Sequence, residues 1–272
     1  MIQVLHRAVA ILEYLAEEPF QPRRLKTIAG RMHLNTATCA NILKTLAEHS
    51  IVTRSENRLG YQLGPWLDHM GSKGLYRQCL TRVAEPEIVR LANGLGETAL
   101  LAVIHQGRRY VLCHANGNRT LQIRPEFVLR ENVYQSASGR LLLAYQSIDE
   151  IKTVIGQQGL PRKNWPKITT EAQLHHALRQ IQRQGFVVRK DQQFARIMDR
   201  VYGVACPVWQ DDAVVAAVAL LVPAIRFQGA EGQRLIRAAR ESAARISRSI
   251  TSSTGGMLNG VGGHIGQSNG RN

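Results

Sequence analysis

The sequence predicts an α+β protein in two parts: a winged helix-turn-helix at the N-terminus and, beyond a linker helix, a larger α+β domain. Three observations predict it. Residues 3–48 hold three amphipathic helical stripes, the last two separated only by His33-Leu34-Asn35. Two short β-patterned runs around a polar turn follow at 51–64. Residues 83–250 then mix hairpins with helices, the pattern of an α+β domain and not of a parallel α/β sheet.

Composition bounds what such a chain can do. Its 272 residues are 44% hydrophobic and 20% charged, which excludes global disorder, and only 6% aromatic, so the core is aliphatic. A net charge of +15 favours a polyanionic partner, nucleic acid or an acidic membrane surface. The excess is not N-terminal: residues 1–65 carry 8 Lys+Arg against 5 Asp+Glu, and residues 66–250 carry 26 against 15. The longest apolar run, Ala213 to Val222, is about half of the ~20 residues that span a bilayer. The charged N-terminus, with His6, Arg7 and Glu13, is no signal peptide. Cys39, Cys79, Cys113 and Cys206 form no C-x-x-C, so a cytoplasmic protein without disulfides is expected.

The elements follow in order. Leu5, Ala8, Val9, Ile11, Leu12 and Leu15 make Val4–Glu17 a helix, ended by Pro19 and Pro22. Leu25, Ile28, Ala29 and Met32 define a second. Asn35 caps a third over Thr36–Glu48, with Cys39, Ile42, Leu43 and Leu46 inward. Ile51–Arg54 and Leu59–Gly64 are the wing. Residues 65–82 are a linker helix weakened by Gly71 and Gly74, and Pro86–Leu95 a further helix. Thr98–Ile104 and Arg109–Ala115 form one hairpin, and Gly203–Trp209 and Ala213–Val222 another, turned at Asp211-Asp212. Ser138–Gln146, Glu171–Gln184 and Glu231–Ile250 are helices. Residues 251–272, with seven glycines, are expected to be disordered.

The second helix of a helix-turn-helix offers short polar side chains to the major groove. Here these are Thr36, Thr38, Asn41 and Lys44. Asn41 can pair bidentately with adenine, and Lys44 suits phosphate. Arg23 and Arg24 before the second helix, and Arg54 and Arg58 on the wing, are candidate backbone contacts. Exposed Thr, Asn and Lys are also what any solvated helix shows.

The stretch Leu5-x-Arg7-Ala8-x-x-Ile11-Leu12-x-x-Leu15, then Leu34–Leu46 and Tyr61-Gln62-Leu63-Gly64, resembles the winged-helix domain of the IclR family of bacterial transcription regulators. Ser136–Ala144 resembles its T-A-x-G-K-x-x-L-A helix start. Gly185–Arg189 and Ala205–Val208 resemble its later segments, in order, so the likeness covers about residues 3–250. The resemblance implies a DNA-binding domain at 1–64, a linker helix at 65–82 and a GAF-like effector-binding domain at 83–250. It also implies a homodimer or homotetramer on double-stranded operator DNA, with repression of a catabolic operon as the family's usual mode. Departures are Asn41 where many members carry Arg, Ser50 for a customary glycine, and Gln192-Gln193 for an acidic pair.

By the same resemblance a small-molecule effector, an organic or aromatic acid, lies against Ala137, Ser138, Asp191, Gly203, Ala219 and Leu221, with backbone N–H groups near Gly139 able to hold a carboxylate. Relatives with Cys and Ser at positions 203, 219 and 221 offer hydrogen bonds that this chain lacks. That implies an effector larger or more apolar than a two-carbon acid. The alternative is that Ala219 and Leu221 merely fill core.

No enzyme chemistry is expected. There is no P-loop and no G-x-S-x-G. Adjacent His175 and His176 diverge by about 100° on a helix and cannot share a metal, so neither metal nor cofactor is expected. Two alternatives stay open: a regulator that binds DNA constitutively, and a sensor or enzyme whose N-terminal helices only dimerise.

Overall fold

The computed structural model describes residues 2–55, 60–74, 80–119, 132–191 and 201–253. The chain divides into two compact units, Met1–Gln78 and Cys79–Asn272.

In the first unit, α1 (Gln3–Ala16), α2 (Leu25–Arg31) and α3 (Thr36–Glu48) pack around one apolar cluster. Its members recur at helical spacing: Ile11, Tyr14 and Leu15 from α1, Ile28 and Ala29 from α2, and Cys39, Ile42, Leu43 and Leu46 from α3. The α3 residues are the four predicted to face inward. The Asn35 side chain accepts from the Thr38 N–H at 2.7 Å, the expected cap. β1 (Val52–Arg54) and β2 (Tyr61–Leu63) pair antiparallel, and Arg23 adds a bridge to Tyr61. Ser50 occupies φ +56°, the left-handed region that explains a glycine preference at this position. Next, α4 (Pro65–Lys73) starts on a proline at its first turn, where no N–H is needed, and ends before Gly74.

The second unit is a five-stranded antiparallel sheet in the order β4-β3-β7-β6-β5, comprising β3 (Thr98–His105), β4 (Arg108–Ala115), β5 (Val187–Asp191), β6 (Val201–Gln210) and β7 (Ala213–Pro223). Strand alternation gives the sheet two apolar faces. Ala99, Leu101, Val103, Val204, Cys206, Val208, Val218 and Leu220 pack on α5 (Arg82–Leu95) and α9 (Gly229–Ser253). Leu100, Ala102, Ala205, Ala217, Ala219 and Leu221 pack on α6 (Ala137–Ala144) and α8 (Glu171–Gln184).

Several elements differ from expectation. α5 begins at Arg82, upstream of Pro86, because fully buried Ala84 anchors the extra turn. α7 (Ile148–Gln158) was not anticipated: it buries only Ile151 and Val154, although the capping box Ser147/Glu150 marks its start. β5 also emerges as a full edge strand, and β6 begins at Val201 instead of Gly203. α9 runs to Ser253, and the tail expected to be disordered lies otherwise outside the described residues. Asp211, at φ +50°, turns the β6–β7 hairpin.

Candidate DNA-reading helix and effector corner

The outer face of α3 is built by subtraction. With Cys39, Ile42, Leu43 and Leu46 turned inward, Ala37, Asn41, Lys44, Thr45 and Glu48 form an exposed row on the opposite side. Thr36 is exposed and Thr38 half-buried beside that row. The Thr45 hydroxyl donates to the Asn41 carbonyl at 3.2 Å. Thr45 and Ala37 were missed by reasoning from residue type, but the 3.6-residue period alone places them here. The Lys44 ammonium stands 4.0 Å from Glu48, an exposed pair of little energetic weight.

The basic candidates separate. Arg24 is exposed. Arg23 serves its own domain: its guanidinium meets Glu18 at 2.8 Å and lies over the Tyr14 ring, while its backbone exchanges hydrogen bonds with Tyr61. Arg54 is exposed and donates to the Tyr61 hydroxyl at 3.0 Å. Arg58 lies outside the described residues.

In the second unit the start of α6 collects most of the predicted effector positions. Ser136 caps the helix, its hydroxyl accepting from the Gly139 N–H at 3.0 Å. Gly139 is obligatory, because a Cβ there would stand 2.2 Å from the Val133 carbonyl oxygen. Ala137, Ala219 and Leu221 lie in one buried cluster with Leu100. Gly203 pairs with Leu221 across β6–β7, and a Cβ on it would approach that of Ala137 to 3.1 Å. Asp191 ends β5 opposite Val201, two residues along from Gly203. The packing of Ala219 and Leu221 gives weight to the core-filling alternative.

Three residues at this corner were not singled out from sequence. Arg109, on β4 and almost wholly buried, donates to the Ser138 hydroxyl at 3.4 Å. Its only sequence signal was a charge at an inward position of an alternating strand. Arg140 donates through Nε to the Tyr134 carbonyl at 2.8 Å and lies 4.2 Å over the Trp165 ring, tying α6 to the preceding turn. Tyr134 has no exposed surface, and burial pushes its phenol up to about 12. Burial also pushes the Cys206 thiol up to about 12, which fits an inert core residue. Among the described residues no three His, Cys, Asp or Glu side chains could hold a metal, and no helix is long and apolar enough to cross a membrane.

A three-helix reading head with a wing, carried ahead of a sheet domain covered on both faces, defines a helix-turn-helix regulator. Comparison with known families agrees. Residues 4–56 match the IclR helix-turn-helix domain, and residues 73–248 match the C-terminal domain of the bacterial transcriptional regulator IclR. The chain belongs to the IclR family of bacterial transcriptional regulators.

Among relatives, the HTH-type transcriptional regulator BhcR of Paracoccus denitrificans is 26% identical over 90% of this chain and 86% of its own. The HTH-type transcriptional repressor AllR of Salmonella typhimurium is 26% identical over 83% and 81%. An IclR homolog from Microbacterium hydrocarbonoxydans, solved with 4-hydroxybenzoate, shares the fold: TM-score 0.72, 22% identity, covering 92% of this chain and 99% of its own.

Proposed function

We propose that this regulator is a cytoplasmic repressor that releases a pseudopalindromic operator when a small organic acid, aromatic or alkyl, binds its second domain. The observation that carries the proposal is the exposed row on α3. In this reading Asn41, Thr36, Thr38 and Thr45 face bases, and Arg24, Lys44, Arg54 and Arg58 grip phosphate. Release requires that the acid bind one conformation better than the other. The AllR name supports repression, and the 4-hydroxybenzoate complex of the Microbacterium protein motivates aromatic acids as the first ligands to try.

Selection from random duplexes tests the reading. It is expected to recover two half-sites about one helical turn apart. Four basic contacts per protomer give a slope of about −7 for log affinity against log salt in a dimer. Recovery of no sequence preference would overturn the proposal. A regulator blind to effectors is the second reading, favoured by the burial of Ala219 and Leu221. An operator complex that no acid dissociates would establish it.

Two half-sites need two copies. Ile2, Leu5 and Val9 recur at i, i+3 and i+7 on α1, each more than half exposed, and form an apolar stripe suited to self-association. The double substitution Leu5→Asp/Val9→Asp is expected to shift the protein toward monomer in sedimentation velocity and to weaken operator binding. An unchanged oligomeric state would place the interface elsewhere.

A further inference from the structure

We propose that the hydroxyl of Tyr134 is a specificity-determining contact for the effector, donating a hydrogen bond to an oxygen acceptor of a small organic acid held between α6 and the sheet. The inference rests on the effector reading above and names a residue of that site.

Tyr134 is among the largest fully buried side chains of the molecule, and its hydroxyl has no hydrogen-bond partner. Leaving a buried hydroxyl unsatisfied costs about 1–3 kcal/mol. Native proteins keep few such groups, and each calls for an explanation. The rest of the residue is held in place. Its N–H donates to the Asn132 side chain at 3.0 Å, and its carbonyl accepts from Arg140, itself stacked on Trp165. The Ser136 and Ser138 hydroxyls nearby in sequence both have partners. The frame around the phenol is thus fixed while its one polar atom is left unused.

The surroundings say what would use it. Tyr134 belongs to the same apolar cluster as Leu100, Ala137, Ala219 and Leu221, three of which are effector positions implied by the family. That lining offers a ligand apolar surface and no side-chain hydrogen bond, so the phenol is the cluster's own polar handle. Burial keeps the phenol protonated at neutral pH, so it acts as a donor to any oxygen acceptor. A carboxylate or carbonyl oxygen satisfies it, whereas an ammonium group, with donors only, does not. Discrimination by such a group is strong, because a ligand without the matching acceptor leaves it buried and unpaired.

The test is Tyr134→Phe in the full-length protein, measured in two ways. Titration calorimetry with benzoate, 4-hydroxybenzoate and an alkyl acid such as hexanoate is expected to show at least one of them binding the wild type. The variant should bind that acid about tenfold more weakly, the loss of one hydrogen bond to a charged group. Thermal melting without ligand is expected to leave the variant at least as stable as the wild type, since no hydrogen bond within the protein is removed. Equal affinity of the two proteins would overturn the inference alone. A lower melting temperature of the ligand-free variant would also overturn it, by revealing a structural partner for the hydroxyl. Failure of the wild type to bind any of these acids would overturn the effector reading and this inference with it.

Discussion

Replacing Asn41 by glutamate is expected to lower affinity for the selected operator by at least a hundredfold without lowering the protein's melting temperature. Asn41 is exposed in the middle of the outward row of α3, while the side chains that hold the helix, Cys39, Ile42, Leu43 and Leu46, point the other way. The substitution therefore spares the core, and glutamate is slightly the better helix former. On DNA it has two costs. The bidentate amide contact to a base is lost, about 1–3 kcal/mol. A carboxylate is also brought against phosphates, a like-charge juxtaposition of several kcal/mol. Asn41→Ala isolates the first cost and should weaken binding about tenfold and relax preference at one base pair. Lys44→Ala should weaken all sequences alike and reduce the salt slope by about one. Fluorescence anisotropy at fixed salt reads all three. If the glutamate variant bound as tightly as the wild type, the outer face of α3 would not be the reading surface.

The reading head was legible because it obeys local rules. An amphipathic period of 3.6, an asparagine cap at 35 and a small Ala29 between the helices all act over a few residues, so sequence alone placed α3 and its inward side chains. The second unit was legible in its hairpins and less so where long-range packing decides. α7 buries two side chains, too few to produce a visible stripe. The register of β4 on β3 shifts between Leu101 and Ala102, so Val111 lies on the α6 face while Leu112 and Cys113 both turn to the other. No glycine or proline announces that bulge. The effector corner was reached through family likeness, which supplied Ala137, Ser138, Gly203, Ala219 and Leu221. It could not supply Arg109 or Tyr134, whose significance lies in being polar and buried. Burial is a property of the tertiary structure, and neither neighbour spacing nor residue type encodes it.

The pairing of α5 with α9 rests on a single carboxylate, and Glu87→Ala is expected to lower the melting transition of the second unit by about 5–10 °C. Glu87 lies on α5 with its side chain only 9% exposed. It is met by Arg245 of α9, Nε on Oε1 at 2.8 Å, and by Arg90 one turn along its own helix. Burial alone would raise its proton affinity. The two guanidiniums outweigh that and hold its carboxyl below the ordinary value of 4.5. Removing the carboxylate leaves the two guanidiniums facing each other across the cleft between the helices. Breaking a fully buried pair costs about 3–5 kcal/mol. Because Arg90 and Arg245 are partly in water, screening reduces the figure here to about 2–3 kcal/mol. Glu87→Gln retains an oxygen acceptor and should lose about half as much. The dependence on pH has a definite sign. A carboxyl whose folded value is depressed stabilises the protein fully above its unfolded value, and the contribution fades as pH falls below 4.5 toward the folded value. Denaturation curves of wild type and Glu87→Ala should therefore stand apart at pH 7 and converge in acid. A gap that stayed constant down to acid pH would mean that Glu87 supports the α5–α9 contact through packing and not through its charge.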